Sequence, residues 1–160
     1  MLLSLSTNCS TTKPGDQDGD QGPDKAKIDQ MDPVTSGGKG QAVLSLHKRF
    51  SYPDACKYGL TLTNHLPYGI TNISFRFTAY TKDGPLPQQV LRNFIEIDPG
   101  ESEYREIEFT GTACKGVDHI EIADPGRCAM GDLSRYSSQP GDCIRHVYIA
   151  KSPYVKLVQK

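Results

Sequence analysis

The chain has 160 residues and a mass of 17.6 kDa, which leaves room for one domain of ordinary size and a tail. Its 36% hydrophobic and 23% charged residues, with 15 Gly, 11 Pro and no Trp, are typical of a β-rich fold rather than a helix bundle. A net charge of -1 excludes a strong overall basic field of the kind that attracts nucleic acid. No stretch reaches the roughly 20 apolar residues that a membrane-spanning helix needs.

The first ten residues, MLLSLSTNCS, hold a short apolar run followed by Cys9. They lack the basic region and the full apolar core of a secretory signal. If a signal preceded this start, Cys9 would take the place of the lipidated cysteine of a bacterial lipoprotein, although Asn8 fits that pattern poorly. Two alternatives stay open for Cys9: a lipid anchor and a free thiol in a tail.

Residues 10–41 are dominated by Gly, Pro, Asp, Gln, Ser and Thr, and apolar residues are nearly absent. Such a segment buries too little surface to offset the entropy lost on ordering. We therefore predict a disordered N-terminal tail or tether over 1–41 and a β-sandwich domain over 42–160.

Beyond the tail, short runs alternate between apolar and polar residues. The clearest is ITNISFRFTAY, in which one face carries Ile73, Phe75, Phe77 and Ala79 and the other carries Asn72, Ser74, Arg76, Thr78 and Tyr80. Weaker runs are AVLSLHKRF, CKYGLTLTN, VLRNFIEI, YREIEF, VDHIEIAD, CIRHVYIA and YVKLVQK. About seven strands in a single domain predict an all-β fold, an antiparallel immunoglobulin-like β-sandwich.

Four cysteines lie in the part expected to fold: Cys56, Cys114, Cys128 and Cys143. An even set of this kind is typical of disulfides formed outside the cytoplasm. Four cysteines allow three pairings, and sequence alone does not choose among them. Strand order favours Cys56 with Cys114, because the second and fifth strands of such a sandwich are antiparallel neighbours. Cys128 and Cys143 then close a long loop. The sequence contains no Cys-x-x-Cys pair, the spacing that would indicate a zinc site.

Residues 59–109 contain a strand with Gly59 and Asn64, a long aromatic strand ending in FTAYTKDG, and a Pro99-Gly100-Glu101 turn. This segment resembles the FxLYD-type and related immunoglobulin-like domains of bacterial extracytoplasmic proteins. The resemblance implies a surface or periplasmic accessory module that is usually not an enzyme.

No phosphate-binding glycine loop, Gly-x-Ser-x-Gly elbow or His-Glu-x-x-His motif occurs. The four histidines fall on different predicted elements. We therefore expect a protein that is not an enzyme and uses no cofactor or metal. The alternative is a copper- or zinc-binding or hydrolytic periplasmic protein that uses strand-borne His and Glu, in its sharpest form a site of His47, His119 and His146.

Loop 124–143 carries residue types that are enriched at protein interfaces, namely Arg127, Met130, Leu133, Arg135 and Tyr136. We predict that this loop binds a protein partner, with no nucleic acid and with membrane contact only through a lipid anchor at Cys9. An alternative stays open in which Met130, Leu133 and Tyr136 pack back on the sheet.

Overall fold

The computed structural model describes residues 25–160, and the lipidation expected at Cys9 lies outside this range. The described chain is all-β. Its strands are β1 Lys27–Gln30, β2 Ala42–Ser51, β3 Ala55–Thr63, β4 Ile70–Thr81, β5 Gly84–Ile97, β6 Ser102–Thr110, β7 His119–Ala123, β8 Ala129–Met130, β9 Val147–Ile149 and β10 Lys156–Gln159. Two 3₁₀ turns, η1 Cys114–Gly116 and η2 Ile144–His146, lie between strands.

The strands form two five-stranded sheets. The first sheet has the order β1-β2-β3-β6, with β9 also on β2, and the second has the order β10-β7-β4-β5, with β8 also on β4. All pairs are antiparallel except β9 with β2 and β10 with β7. Because β9 pairs with residues 42–44 and β1 with residues 48–51, these two short strands share one edge of β2.

The two sheets pack through one apolar cluster. Tyr58 and Leu60 enter it from the first sheet, and Phe75 and Ile120 enter it from the second. The alternation predicted for β4 is confirmed, since its four apolar side chains, Ile73, Phe75, Phe77 and Ala79, are all 0% exposed. Burial of each large apolar side chain contributes about 1.5–3 kcal/mol to folding.

The folded part begins earlier in the chain than the expected boundary at Gln41. Strand β1 lies inside the segment predicted to be a tail, and it pairs with the second half of β2. Ile28 is 53% exposed, so apolar burial contributes little there. The strand is instead held by backbone pairing and by Arg49, whose Nη2 lies 2.8 Å from Asp29 Oδ2. Composition alone misses an edge strand of this kind, because its partner supplies the hydrogen bonds.

Two connections between the sheets meet at Asn64, which is fully buried. Its Nδ2 donates to Tyr68 O and Ile97 O at 2.9 and 2.8 Å, and its Oδ1 accepts from Leu66 N at 2.9 Å. Gly100 N also donates to Asn64 O at 2.7 Å. One side chain therefore holds together the β3–β4 and β5–β6 connections.

Side chains cover the sheet edges where β5 meets β6. Arg92 Nε donates to Glu106 O at 2.6 Å, and Arg105 Nε donates to Asn93 O at 3.2 Å. Ile95 N donates to Glu103 Oε2 at 2.7 Å. These bonds occupy backbone groups at facing sheet edges that would otherwise be available to pair with another strand.

Two disulfides close connections between the sheets. Cys56–Cys114 ties β3 to η1, on the path from β6 to β7, and Cys128–Cys143 lies on the path from β7 to β9. These are the same two pairs that strand order favoured. The second closes a loop with a sequence separation of 15, for which the chain-entropy model gives about 3 kcal/mol of stabilisation. Two disulfides indicate an oxidising environment outside the cytoplasm.

Candidate functional site: a basic groove beside the disulfide loop

Loop 124–143 is attached to the start of β4. Its short strand β8 pairs with β4, so that Met130 lies opposite Ile70 and Ala129 opposite Asn72. The Asn72 side chain strengthens this attachment, because its Nδ2 donates to Arg127 O at 3.3 Å. The loop therefore lies beside the polar face of the second sheet.

The buried carboxylate of Asp124 holds the two ends of this loop together. Asp124 is 6% exposed, and its Oδ1 accepts from Gly126 N at 2.7 Å. Its Oδ2 accepts from Cys143 N at 2.8 Å and from Ile144 N at 3.1 Å. Backbone N–H groups thus satisfy the carboxylate from both ends of the loop, next to the Cys128–Cys143 disulfide. The arrangement limits how far the loop can move.

The turn that begins the loop has an unusual backbone. Gly126 has φ 81°, and a Cβ there would lie 3.0 Å from the backbone carbon of Gln139, so a side chain would be strained and tightly packed here. Arg127 follows with φ 66°, a left-handed conformation that is uncommon for a residue other than glycine. Backbone strain is often retained near functional positions.

The five loop residues predicted to bind a partner fall into two groups. Met130 is 3% exposed and Leu133 packs against the apolar cluster, so both pack back on the sheet as in the alternative interpretation. Neither belongs to an exposed binding surface. Arg127, Arg135 and Tyr136 are exposed, and Tyr136 has 86% of its surface exposed. The loop therefore presents two cations and one aromatic ring.

A groove of about 750 Å³ separates the loop from the second sheet. Three arginines line it: Arg127 and Arg135 from the loop and Arg76 from β4. Polar Ser74 and Asn93 and the half-exposed Leu91 also line it. No Asp or Glu side chain lies in the described lining of this groove.

Among residues 25–160, neighbouring side chains do not neutralise the positive charge of the groove. Within residues 25–160, the guanidinium groups of Arg76 and Arg127 have no hydrogen-bond or ion-pair partner. The Arg135 guanidinium lies 5.3 Å from the centre of the Tyr136 ring, a cation–π contact that leaves its charge intact. The chain as a whole has a net charge of -1, so this local field is invisible in the composition.

Arg76 is the groove arginine that was not among the predicted binding residues. The alternation of β4 correctly placed Arg76 on the polar face with Ser74, and this was the only information about Arg76 that the sequence offered. What was missing was the position of the loop, which the β8–β4 pairing brings next to that face.

The histidines proposed as a metal site lie on separate elements. His47, in the first sheet, has Nε2 2.8 Å from Thr61 Oγ1, whereas His119, in the second sheet, stacks on Tyr80 at 4.5 Å between ring centres. His146 lies in η2. Over residues 25–160, no group of three or more His, Cys, Asp or Glu side chains is arranged to hold a metal ion.

The outer face of the first sheet carries a second polar cluster, formed by Lys57, Tyr104 and Glu106 over Gly59. Tyr104 Oη donates to Glu106 Oε1 at 2.9 Å, and Lys57 Nζ lies 3.0 Å from Glu106 Oε2. Partial burial, then the bond to Glu106, raises the pKa of Tyr104. Burial is the largest single influence on Glu106, but the bonds from Lys57 and Tyr104 together outweigh it and lower the pKa of this carboxyl. The three side chains form a hydrogen-bonded network on this face of the sheet.

The part of the chain that the structure describes contains no helix of the length and apolarity needed to cross a bilayer. In comparisons with known proteins, no family model, no curated protein and no solved structure matches this chain.

Proposed function

We propose that this chain is a non-enzymatic, immunoglobulin-like interaction module that binds a protein partner through loop 124–143. The observation that carries the proposal is the exposure of Arg127, Arg135 and Tyr136 on a loop whose ends are fixed by Asp124 and a disulfide. A loop that is already ordered loses less entropy on binding. Arginine and tyrosine are also the residue types that most often dominate binding energy at interfaces.

The two disulfides support a location in the periplasm or at the cell surface. The resemblance of residues 59–109 to FxLYD-type domains supports an accessory role in such a compartment. A lipid anchor at Cys9 would hold the module at a membrane. This part of the proposal is tested by mass spectrometry of the protein isolated from its source, which would show acyl chains on the peptide containing Cys9.

The partner-binding role is tested with the double variant Arg135→Ala and Tyr136→Ala. Both side chains are exposed, so the melting temperature should stay within about 2 °C of the parent chain, while capture of the partner from envelope extracts should be lost. Arg145→Ala is the matched control, because Arg145 is an exposed arginine close to the end of the same loop. Equal capture by the parent, the double variant and the control would refute the proposed role of the loop.

A further inference from the structure

We infer that the groove between loop 124–143 and β4 binds a short acidic segment of the protein partner, whose carboxylates pair with Arg76 and Arg127. This inference rests on the proposed function and names the chemistry that the loop recognises. It also assigns a binding role to Arg76, which belongs to the sheet rather than to the loop.

The first argument is charge. Three arginines line one concave surface, no carboxylate shares its described lining, and two of the guanidinium groups have no partner within residues 25–160. Like charges that face each other across a groove repel, and an anion between them relieves the repulsion while forming charge-assisted hydrogen bonds. Arginine is the side chain best suited to carboxylates, because its planar fork donates hydrogen bonds to both oxygens in one geometry.

The second argument is the character of the remaining lining. Leu91 lines the groove with 51% of its surface exposed, and Ile95 on the same strand is 49% exposed. Ser74 and Asn93 place a hydroxyl and an amide on the same wall. This lining suits a peptide, because a peptide offers backbone amides to the polar positions, an apolar side chain to Leu91 and acidic side chains to the arginines. A sulfated glycan offers no apolar side chain to Leu91.

The third argument is the size of the groove. A volume of about 750 Å³ lies in the range of sites that enclose a small ligand, so it suits a few residues rather than a folded surface. At its Thr71 end the groove adjoins a separate hollow lined by Glu96 and Asp98. These carboxylates would repel a longer acidic run, so the acidic segment is expected to be short.

The test measures fluorescence anisotropy with the full chain and a fluorescein-labelled probe peptide, Glu-Glu-Leu-Glu-Glu. The labelled peptide Gln-Gln-Leu-Gln-Gln, which lacks the charge, controls for the dye and for the leucine. Heparin and inorganic phosphate, as unlabelled competitors, represent other anions. Two variants remove groove cations: Arg76→Gln, and Arg127→Gly, which suits the left-handed backbone at this position. Arg145→Gln is the matched control outside the groove.

The acidic probe should bind, the neutral probe should not, and each groove variant should weaken binding by about tenfold, which corresponds to about 1.4 kcal/mol. Arg145→Gln should change affinity by less than about twofold. Raising salt from about 50 mM to about 300 mM should weaken binding further, because exposed ion pairs are screened. Thermal unfolding of each variant checks that the fold is kept.

Three results would overturn the inference: no binding of the acidic probe, equal weakening by Arg145→Gln, or binding of the acidic probe that Arg76→Gln and Arg127→Gly leave unchanged. The two proposals fail separately. If the Arg135 and Tyr136 variant loses its partner while Arg76→Gln and Arg127→Gly retain it, the loop binds the partner but the groove does not. If all these variants retain the partner, the proposed function itself is wrong.

Discussion

Replacing Asp124 with alanine should destabilise the protein strongly, because this one carboxylate orders both ends of the loop. The substitution leaves the N–H groups of Gly126, Cys143 and Ile144 without their acceptor. A buried donor without a partner costs about 1–3 kcal/mol. Some of the three will reach water once the side chain is shortened, so we expect a total loss of about 3–5 kcal/mol in the free energy of unfolding.

The loss is measured as a shift in the urea unfolding midpoint under non-reducing conditions, so that Cys128–Cys143 stays closed in both states. Asp124→Asn keeps one acceptor oxygen but turns an amide donor toward N–H groups, so it should cost about half as much. Asp142→Ala is the control: Asp142 lies in the same loop and accepts from Gln139 N, but that bond is exposed to solvent. We expect it to cost less than about 1 kcal/mol.

A loss below about 1 kcal/mol for Asp124→Ala, or one equal to that of Asp142→Ala, would refute this reasoning. It would show that the disulfide and the pairing of β8 with β4 order the loop without Asp124. Hydrogen exchange gives a local check, since the amides of Cys143 and Ile144 should lose protection in the alanine variant before the core strands do.

Two further predictions concern the first sheet. The hydroxyl of Tyr58 is buried without a hydrogen-bond partner in the described chain, and burial raises its pKa to about 12. Tyr58→Phe should therefore stabilise the protein by about 1 kcal/mol in urea unfolding, and a destabilisation of that size would show that the hydroxyl has a partner. The lowered pKa of Glu106 means that its stabilisation is present above its ordinary value of 4.5 and is lost as the pH falls below it. Glu106→Gln should flatten the fall in stability between about pH 5 and pH 3, and an unchanged slope would contradict the prediction.

The sequence determined the fold class through side-chain alternation. In β4 the alternation is complete enough that every apolar residue predicted to face inward is fully buried. The order of the strands also favoured the observed disulfide partners, since Cys56 is the second residue of β3 and Cys114 follows β6, the antiparallel neighbour of β3. These features depend on residues that are close in the sequence or on neighbouring strands, so the order of residues and strands along the chain is enough to predict them.

The sequence did not reveal β1 or the inward packing of Met130 and Leu133, because these depend on what each segment contacts. A polar edge strand looks like a tail until its partner strand is known. Met130 looks like an interface residue until β8 is seen to pair with β4.

The groove is the strongest example of what the tertiary structure decided. Arg76 and Arg127 belong to a strand and a loop that are distant in the sequence, and each looks like an ordinary exposed arginine there. They line one surface only because β8 pairs with β4, Asn72 bonds to Arg127 O, and Asp124 holds the loop ends. Charge density on a surface depends on distances in space, and those distances are set by long-range pairing rather than by composition.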